Sequence, residues 1–163
     1  MMRFPPFVGV AALLVPASAL AQPTVTEPPK VVAAIKDCAQ ATTGEGLEEN
    51  LLVSLGWQEV EVDMTDNPLP EKPTVFGKDR THPLIRIVFN EGGSSGCLVE
   101  GWLADESTTQ SLDTVLVEKF GEAKPHEGMR AHYFDNAVAM VLPEPMLSNS
   151  DFRIIVTEAG EAE

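Results

Sequence analysis

The residues able to do chemistry are few and scattered. Gly92-Gly93-Ser94-Ser95-Gly96 matches the G-x-S-x-G pattern of a serine nucleophile elbow. That elbow needs a strand before the serine and a helix after it, so that the hydroxyl stands strained at a helix N-terminus. A hydrophobic strand at Cys97 follows instead, so the run reads more simply as the loop of a hairpin; the alternative is an activated serine with His126 or His132 as its base. Paired histidines and carboxylates are also metal donors. His126 and His132, with Glu127 between them, are six residues apart, which is neither a helical i, i+4 pair nor a zinc spacing. The plainer reading is a cationic loop, Lys124, His126, Arg130 and His132, that offers a contact site to an acidic partner. His82, before Pro83, reads as a solvated loop residue. Glu59, Glu61 and Asp63 alternate along one segment, with Asp66 beyond. Such a row could hold Ca²⁺ or do acid–base work, but usually serves as a charged outer strand face. No phosphate-binding glycine loop, dinucleotide fingerprint or EF-hand occurs, and no cofactor is expected.

Composition narrows the partners. The 163 residues hold 11 Lys plus Arg against 25 Asp plus Glu, a net charge of −14. Nucleic-acid backbones and anionic membranes would repel such a chain. The first 21 residues read as a secretory signal: Arg3 is followed by an apolar run from Phe4 to Leu20, and Ala19 and Ala21 stand where a signal peptidase cuts. Pro5, Pro6 and Pro16 argue against the alternative, a membrane anchor. The expected location is therefore periplasmic or secreted, with no integral membrane segment after cleavage. Cys38 and Cys97 are the only cysteines. In an oxidising compartment they read as one disulfide, since a catalytic dithiol would more often show Cys-x-x-Cys spacing.

The elements that must position these residues follow from periodicity. Residues 22–29 form a proline-rich leader that should be mobile, residues 30–158 a single domain, and residues 159–163 an acidic tail. A first helix carries Val31, Ala34, Ile35 and Cys38 on one face. A second, over Leu47 to Leu55, buries Leu47, Leu51 and Leu55 and ends at Gly56. Strands are predicted at Trp57–Met64, Leu84–Phe89, Cys97–Ala104, Ala131–Phe134, Ala137–Leu142 and Asp151–Thr157, with room for an optional short one at Thr74–Gly77. The Asp135-Asn136 pair suits a tight hairpin. A third helix over Thr108–Phe120 has Leu112, Val115, Leu116 and Phe120 as its stripe, with Ser107 and Gln110 as a capping box. The fold class is α+β: a mainly antiparallel sheet of five to six strands, two N-terminal helices and one amphipathic helix inserted mid-chain.

The central hairpin can be taken further. If Cys97 faces the first helix, its strand turns Cys97, Val99, Gly101 and Leu103 to the core, and the partner strand turns Ile85, Ile87 and Phe89 there. Pairing Phe89 with Cys97, Ile87 with Val99 and Ile85 with Gly101 satisfies both strands. The opposite face then carries Leu84, Arg86, Val88, Leu98, Glu100 and Trp102, an apolar surface around an ion pair. Arg153 extends it if Phe152, Ile154 and Val156 face the core. Taking Val138, Met140 and Leu142 as core leaves Ala137 and Ala139 beside Trp102, where they would leave a shallow groove. Either the third helix covers this face, or Trp102, Arg86, Glu100 and Arg153 form a ligand face.

Cys38 in the first helix, the Leu55-Gly56-Trp57 junction, and Gly96-Cys97 leading into a hydrophobic strand resemble small secreted proteins of alphaproteobacteria without an assigned activity. The resemblance implies an exported chain with a disulfide, and no site residues. Taken together the sequence points to a binding module for a periplasmic protein or small ligand. A small serine hydrolase built on Ser94 or Ser95, or an inhibitor of an exported enzyme, stand as the alternatives.

Overall fold

The computed structural model describes residues 25–43, 46–61, 74–89, 95–143 and 151–160, with Phe89 and Ser95 described by their backbone alone. Helix α1, Pro28–Ala41, has prolines at its first two positions, where the missing N–H costs nothing, and buries Val31, Val32, Ala34, Ile35, Cys38 and Ala41. A short ribbon follows, β1 (Thr42–Thr43) against β2 (Gly46–Leu47). Helix α2, Glu49–Ser54, is shorter than its pattern predicts because Leu47 is taken by β2. Its fully buried residue is Leu52, while Leu47, Leu51 and Leu55 pack at the margin of the core. The helix closes as a Schellman motif: Gly56 has φ 91°, its N–H donates to Val53 O, and Trp57 N–H donates to Leu52 O. This turn delivers Trp57 into the core, where its Nε1 donates to Asp37 Oδ2 on α1 at 2.8 Å.

The remaining strands are β3 (Gln58–Glu59), β4 (Val75–Gly77), β5 (Leu84–Phe89), β6 (Ser95–Gly101), β7 (Lys124–His126), β8 (Met129–Phe134), β9 (Ala137–Val141) and β10 (Phe152–Glu158), with α3, Glu106–Phe120, between β6 and β7. They form one antiparallel sheet of eight strands in the order β3-β4-β5-β6-β10-β9-β8-β7. The sheet is wider than the five to six strands expected. The segment read as one strand over Trp57–Met64 contributes only β3 among the described residues, and Lys124–His126 adds an edge strand. Glu127 (φ 48°) and Gly128 (φ 82°) occupy positive φ in the tight turn joining β7 to β8.

Three expectations need correction. The first concerns α3, which does not cover the second face of the sheet. Its Leu112, Leu116 and Phe120 enter the same core as Val31, Ile35 and Cys38 of α1, so both helices lie on one side. Eight strands at about 4.8 Å spacing span roughly 34 Å, and a helix is only about 10–12 Å wide. One helix leaves most of that face uncovered. The α3 N-cap is also Asp105, which accepts from Thr108 N–H at 2.8 Å, rather than Ser107.

The second concerns register. Ile87 pairs with Cys97, Ile85 with Val99 and Phe89 with Ser95, a slip of two residues from the expected pairing. A slip of two keeps every side chain on its face, so hydrophobic patterning cannot detect it. The face assignment of β5 and β6 is as expected. The third concerns β9. Ala139 pairs with Val156 and Val141 with Ile154, which turns Ala137, Ala139 and Val141 to the helices and Val138 and Met140 away. Large rings explain the preference for small residues there: Phe120 and Phe134 stack at 4.3 Å on that side, and Ala139 is fully buried on it.

Two ties fix α1 to the sheet. Cys38 and Cys97, 59 residues apart, form a disulfide from the last turn of the helix to β6, with both cysteines fully buried. The end of the proline-rich leader is also held. Val25 bridges to Trp102, Thr26 N–H donates to Trp102 O at 2.7 Å, and Thr26 is buried. Residues 25–27 are therefore docked rather than mobile, while residues 22–24 and the predicted signal lie outside the described residues. Among the described residues no helix is long and apolar enough to cross a membrane.

Candidate binding face

With β5, β6 and β10 turning Ile85, Ile87, Cys97, Val99, Ile154 and Val156 to the helices, their alternate residues fall on the other side. That side carries Leu84, Arg86 and Val88, then Leu98, Glu100 and Trp102, then Arg153, Ile155 and Thr157, and Val138 and Met140 beyond. No described helix lies on it. At its centre Arg153 stands directly opposite Glu100, while Arg86 stands opposite Leu98 and reaches Glu100 on the diagonal. Arg86 Nη2 contacts Glu100 Oε1 at 2.5 Å, and Arg153 Nε lies 3.8 Å from Glu100 Oε2. The structure thus brings together three of the four residues singled out for this face.

The fourth, Trp102, lies just past the end of β6. It is half-buried, and its carbonyl holds the docked segment at Thr26.

The electrostatics of the three-residue cluster are unusual. Glu100 is 3 % exposed. The two arginine side chains are 20 % and 22 % exposed. A carboxylate removed from water needs compensation of several kcal/mol, and two guanidiniums supply it. The hydrogen bonding is nevertheless incomplete. Arg86 Nε, Glu100 Oε2 and Arg153 Nε are all buried without a hydrogen-bond partner. Buried polar atoms in native proteins are rarely left so, and two of these three, Arg153 Nε and Glu100 Oε2, face each other as an ion pair at 3.8 Å. Two cations against one anion also leave a local excess of one positive charge on a chain of net −14.

The proposed cationic loop does not hold together as a surface. Lys124 and Tyr133 lie on the helix-free side, with the Lys124 ammonium 5.6 Å above the Tyr133 ring. Exposed His126 is on the same edge strand. Arg130, by strand alternation, faces the other side and pairs with Asp113 of α3 at 2.8 Å. His132 is 1 % exposed, donates from Nδ1 to Gly121 O at 2.8 Å and packs near Phe120. It cannot be a contact residue, because it faces the core beneath α3. His82 is likewise drawn in: its ring meets Trp57 edge-on, and its Nδ1 lies 2.8 Å from Asp79 Oδ1. The Asp79 carboxyl is held far below the usual range by the His82 side chain first, then by Thr81 N–H and Oγ1. Asp105 is lowered too, by the Ser107 hydroxyl first and then by Thr108 N–H. Both are turn and cap carboxylates.

Catalytic arrangements do not assemble among the described residues. Ser95 begins strand β6 opposite Phe89, so the chain continues as a strand where an elbow requires a helix. Gly92, Gly93 and Ser94 lie outside the described residues. His132 sits on β8, three strands from β6, which is on the order of 14 Å away. Glu59 and Glu61 are exposed, while Asp63 and Asp66 lie outside the described residues. No group of three or more metal-donor side chains occurs among the described residues.

One concavity escaped the sequence reading. A cleft of about 380 Å³ lies between α3 and the ends of β8, β9 and β10, lined by Leu112, Leu116, Val141 and Phe152. The Asp113–Arg130 pair belongs to the same lining. It depends on α3 lying over this part of the sheet, which no local pattern reveals. Comparison with protein-family models, with curated proteins and with solved structures finds no match to this chain.

Proposed function

We propose that this chain is an exported, non-catalytic binding domain whose ligand sits on the helix-free face of the sheet. The observation that carries the reading is the Arg86–Glu100–Arg153 cluster. It is a buried carboxylate held between two arginines with three polar atoms that lack a hydrogen-bond partner, on the side away from both long helices. A purely structural ion pair has no need of the second guanidinium, and a buried pair by itself seldom adds stability over apolar packing. Export agrees with the disulfide, which is stable in an oxidising compartment such as the periplasm. The apolar neighbours Leu84, Val88, Ile155 and Met140 supply the contact area.

Site-specific photo-crosslinking in the native host tests this. A photoreactive residue in place of Ile155, beside Arg153 on the face, should yield a discrete adduct. The same residue in place of exposed Thr114 on α3 should yield none. Adducts from Thr114 alone would place the contact on the helical side and overturn the reading.

A further inference from the structure

We infer that the Cys38–Cys97 bridge is installed by thiol–disulfide exchange before α1 docks on β6. The reduced, unfinished chain is then a substrate for a disulfide donor, and the finished bond is closed to thiols in the folded protein. Three observations lead there. Access comes first. Both cysteines are 0 % exposed. Cys97 stands on the fourth of the eight strands, with Ile87 of β5 opposite it on one side and Val156 of β10 on the other. Cys38 lies against it in the last turn of α1, and the β1–β2 ribbon packs beside β6. Exchange needs a thiolate to reach a disulfide sulfur, and neither residue has surface open to one.

Chemistry comes second. One cysteine thiolate of this chain attacks the donor's disulfide and releases one donor sulfur as thiolate. The other cysteine thiolate then attacks the mixed disulfide and releases the second. Two thiols of this chain are oxidised, one donor disulfide is reduced to two thiols, and two protons pass to the donor through water. Both steps need an ionised sulfur. In the packed protein that anion would stand out of water, within the apolar cluster that holds Ile35, Val99 and Ile154.

Topology comes third. The chain has two cysteines, so a single pairing exists and oxidation suffices without reshuffling. Helix α1 closes on β10 as well as on β6. Because β10 spans Phe152–Glu158, the layer beneath α1 is incomplete until the last strand has joined. That interval leaves both thiols within reach of a donor.

Reduction of the purified oxidised protein by dithiothreitol, followed by alkylation and mass measurement, tests this without a variant. In buffer the bond should open at least about a thousandfold more slowly than in concentrated urea, because only the unfolded fraction reacts. Oxidised glutathione controls for the effect of urea on exchange itself. Below the unfolding transition, added urea should speed reduction with the slope of global unfolding. A rate insensitive to urea, or one within about tenfold of the unfolded chain, would reveal a local route to the sulfurs and overturn the inference. The forward step is read on reduced protein returned from urea. Once its native circular dichroism has recovered, oxidised glutathione should close the bridge at least about tenfold more slowly than in the chain held in urea. A reduced chain that regains no native spectrum until the bridge forms would show the same order of events. A reduced chain with the native spectrum that reacts as fast as the unfolded one would overturn it.

Discussion

Removing the Cys38–Cys97 bridge is the perturbation whose magnitude the structure sets most firmly. The bond joins residues 59 apart, and closing a loop of that length takes about 4 kcal/mol of freedom from the unfolded chain. Both cysteines are fully buried where α1 meets β6, so the pair Cys38→Ala and Cys97→Ala adds a small loss of packing. The bridge holds the helix whose Val31, Ile35 and Ala34 form the centre of the core, and nothing else covalent links the two layers among the described residues. For a domain of this size about 4 kcal/mol corresponds to a melting temperature lower by roughly 10–15 °C. Calorimetric melting of the oxidised protein, the reduced protein and the double variant measures it. The reduced and variant forms should melt together, both well below the oxidised form. A difference under about 1 kcal/mol would show that packing alone seats α1, and would refute the idea that the crosslink organises the two layers.

Two further predictions follow from particular contacts. A Cβ at Gly96 would stand 2.6 Å from the Val156 carbonyl oxygen, a backbone atom that cannot yield. Gly96→Ala should therefore force β6 and β10 apart, costing about 1–3 kcal/mol by urea denaturation, whereas Gly128→Ala, with open space around it, should cost only the strain of its positive φ. Asp79 and Asp105 have their carboxyls lowered in the folded state, so each contributes stability that is present above the ordinary carboxylate range and lost as pH falls through its folded value. Denaturation midpoints should fall as pH drops below about 4. The slope should be shallower in the Asp79→Asn and Asp105→Asn variants, and an unchanged slope would refute the assignment.

What the sequence reveals here is local or periodic. The cysteine pair, the left-handed turn at Gly56 and the two faces of β5 and β6 rest on residue type and alternation, and the structure has all of them. The assembly of Arg86, Glu100 and Arg153 on one face follows from the same alternation. The missing parts depend on tertiary placement. Leu112, Leu116 and Phe120 announce that α3 buries a stripe, but only the width of the sheet decides which side it covers. The two-residue slip at Ile87–Cys97 is silent in any period-two pattern. On β9 the more hydrophobic residues, Val138 and Met140, point away from the helices because Phe120 and Phe134 already fill the space above Ala139. His132 reads as part of a cationic contact group until the pairing of β8 with β9 sets it opposite Ala139, beneath Phe120.

The central claim is that ligand meets the side of the sheet opposite α1 and α3. Amide chemical-shift mapping of the ¹⁵N-labelled protein during addition of periplasmic extract from the native host addresses it residue by residue. The account predicts the largest shifts at Arg86, Leu98, Glu100 and Ile155. Shifts concentrated instead at Leu112, Leu116 and Val141 would move the ligand to the cleft under α3 and contradict it.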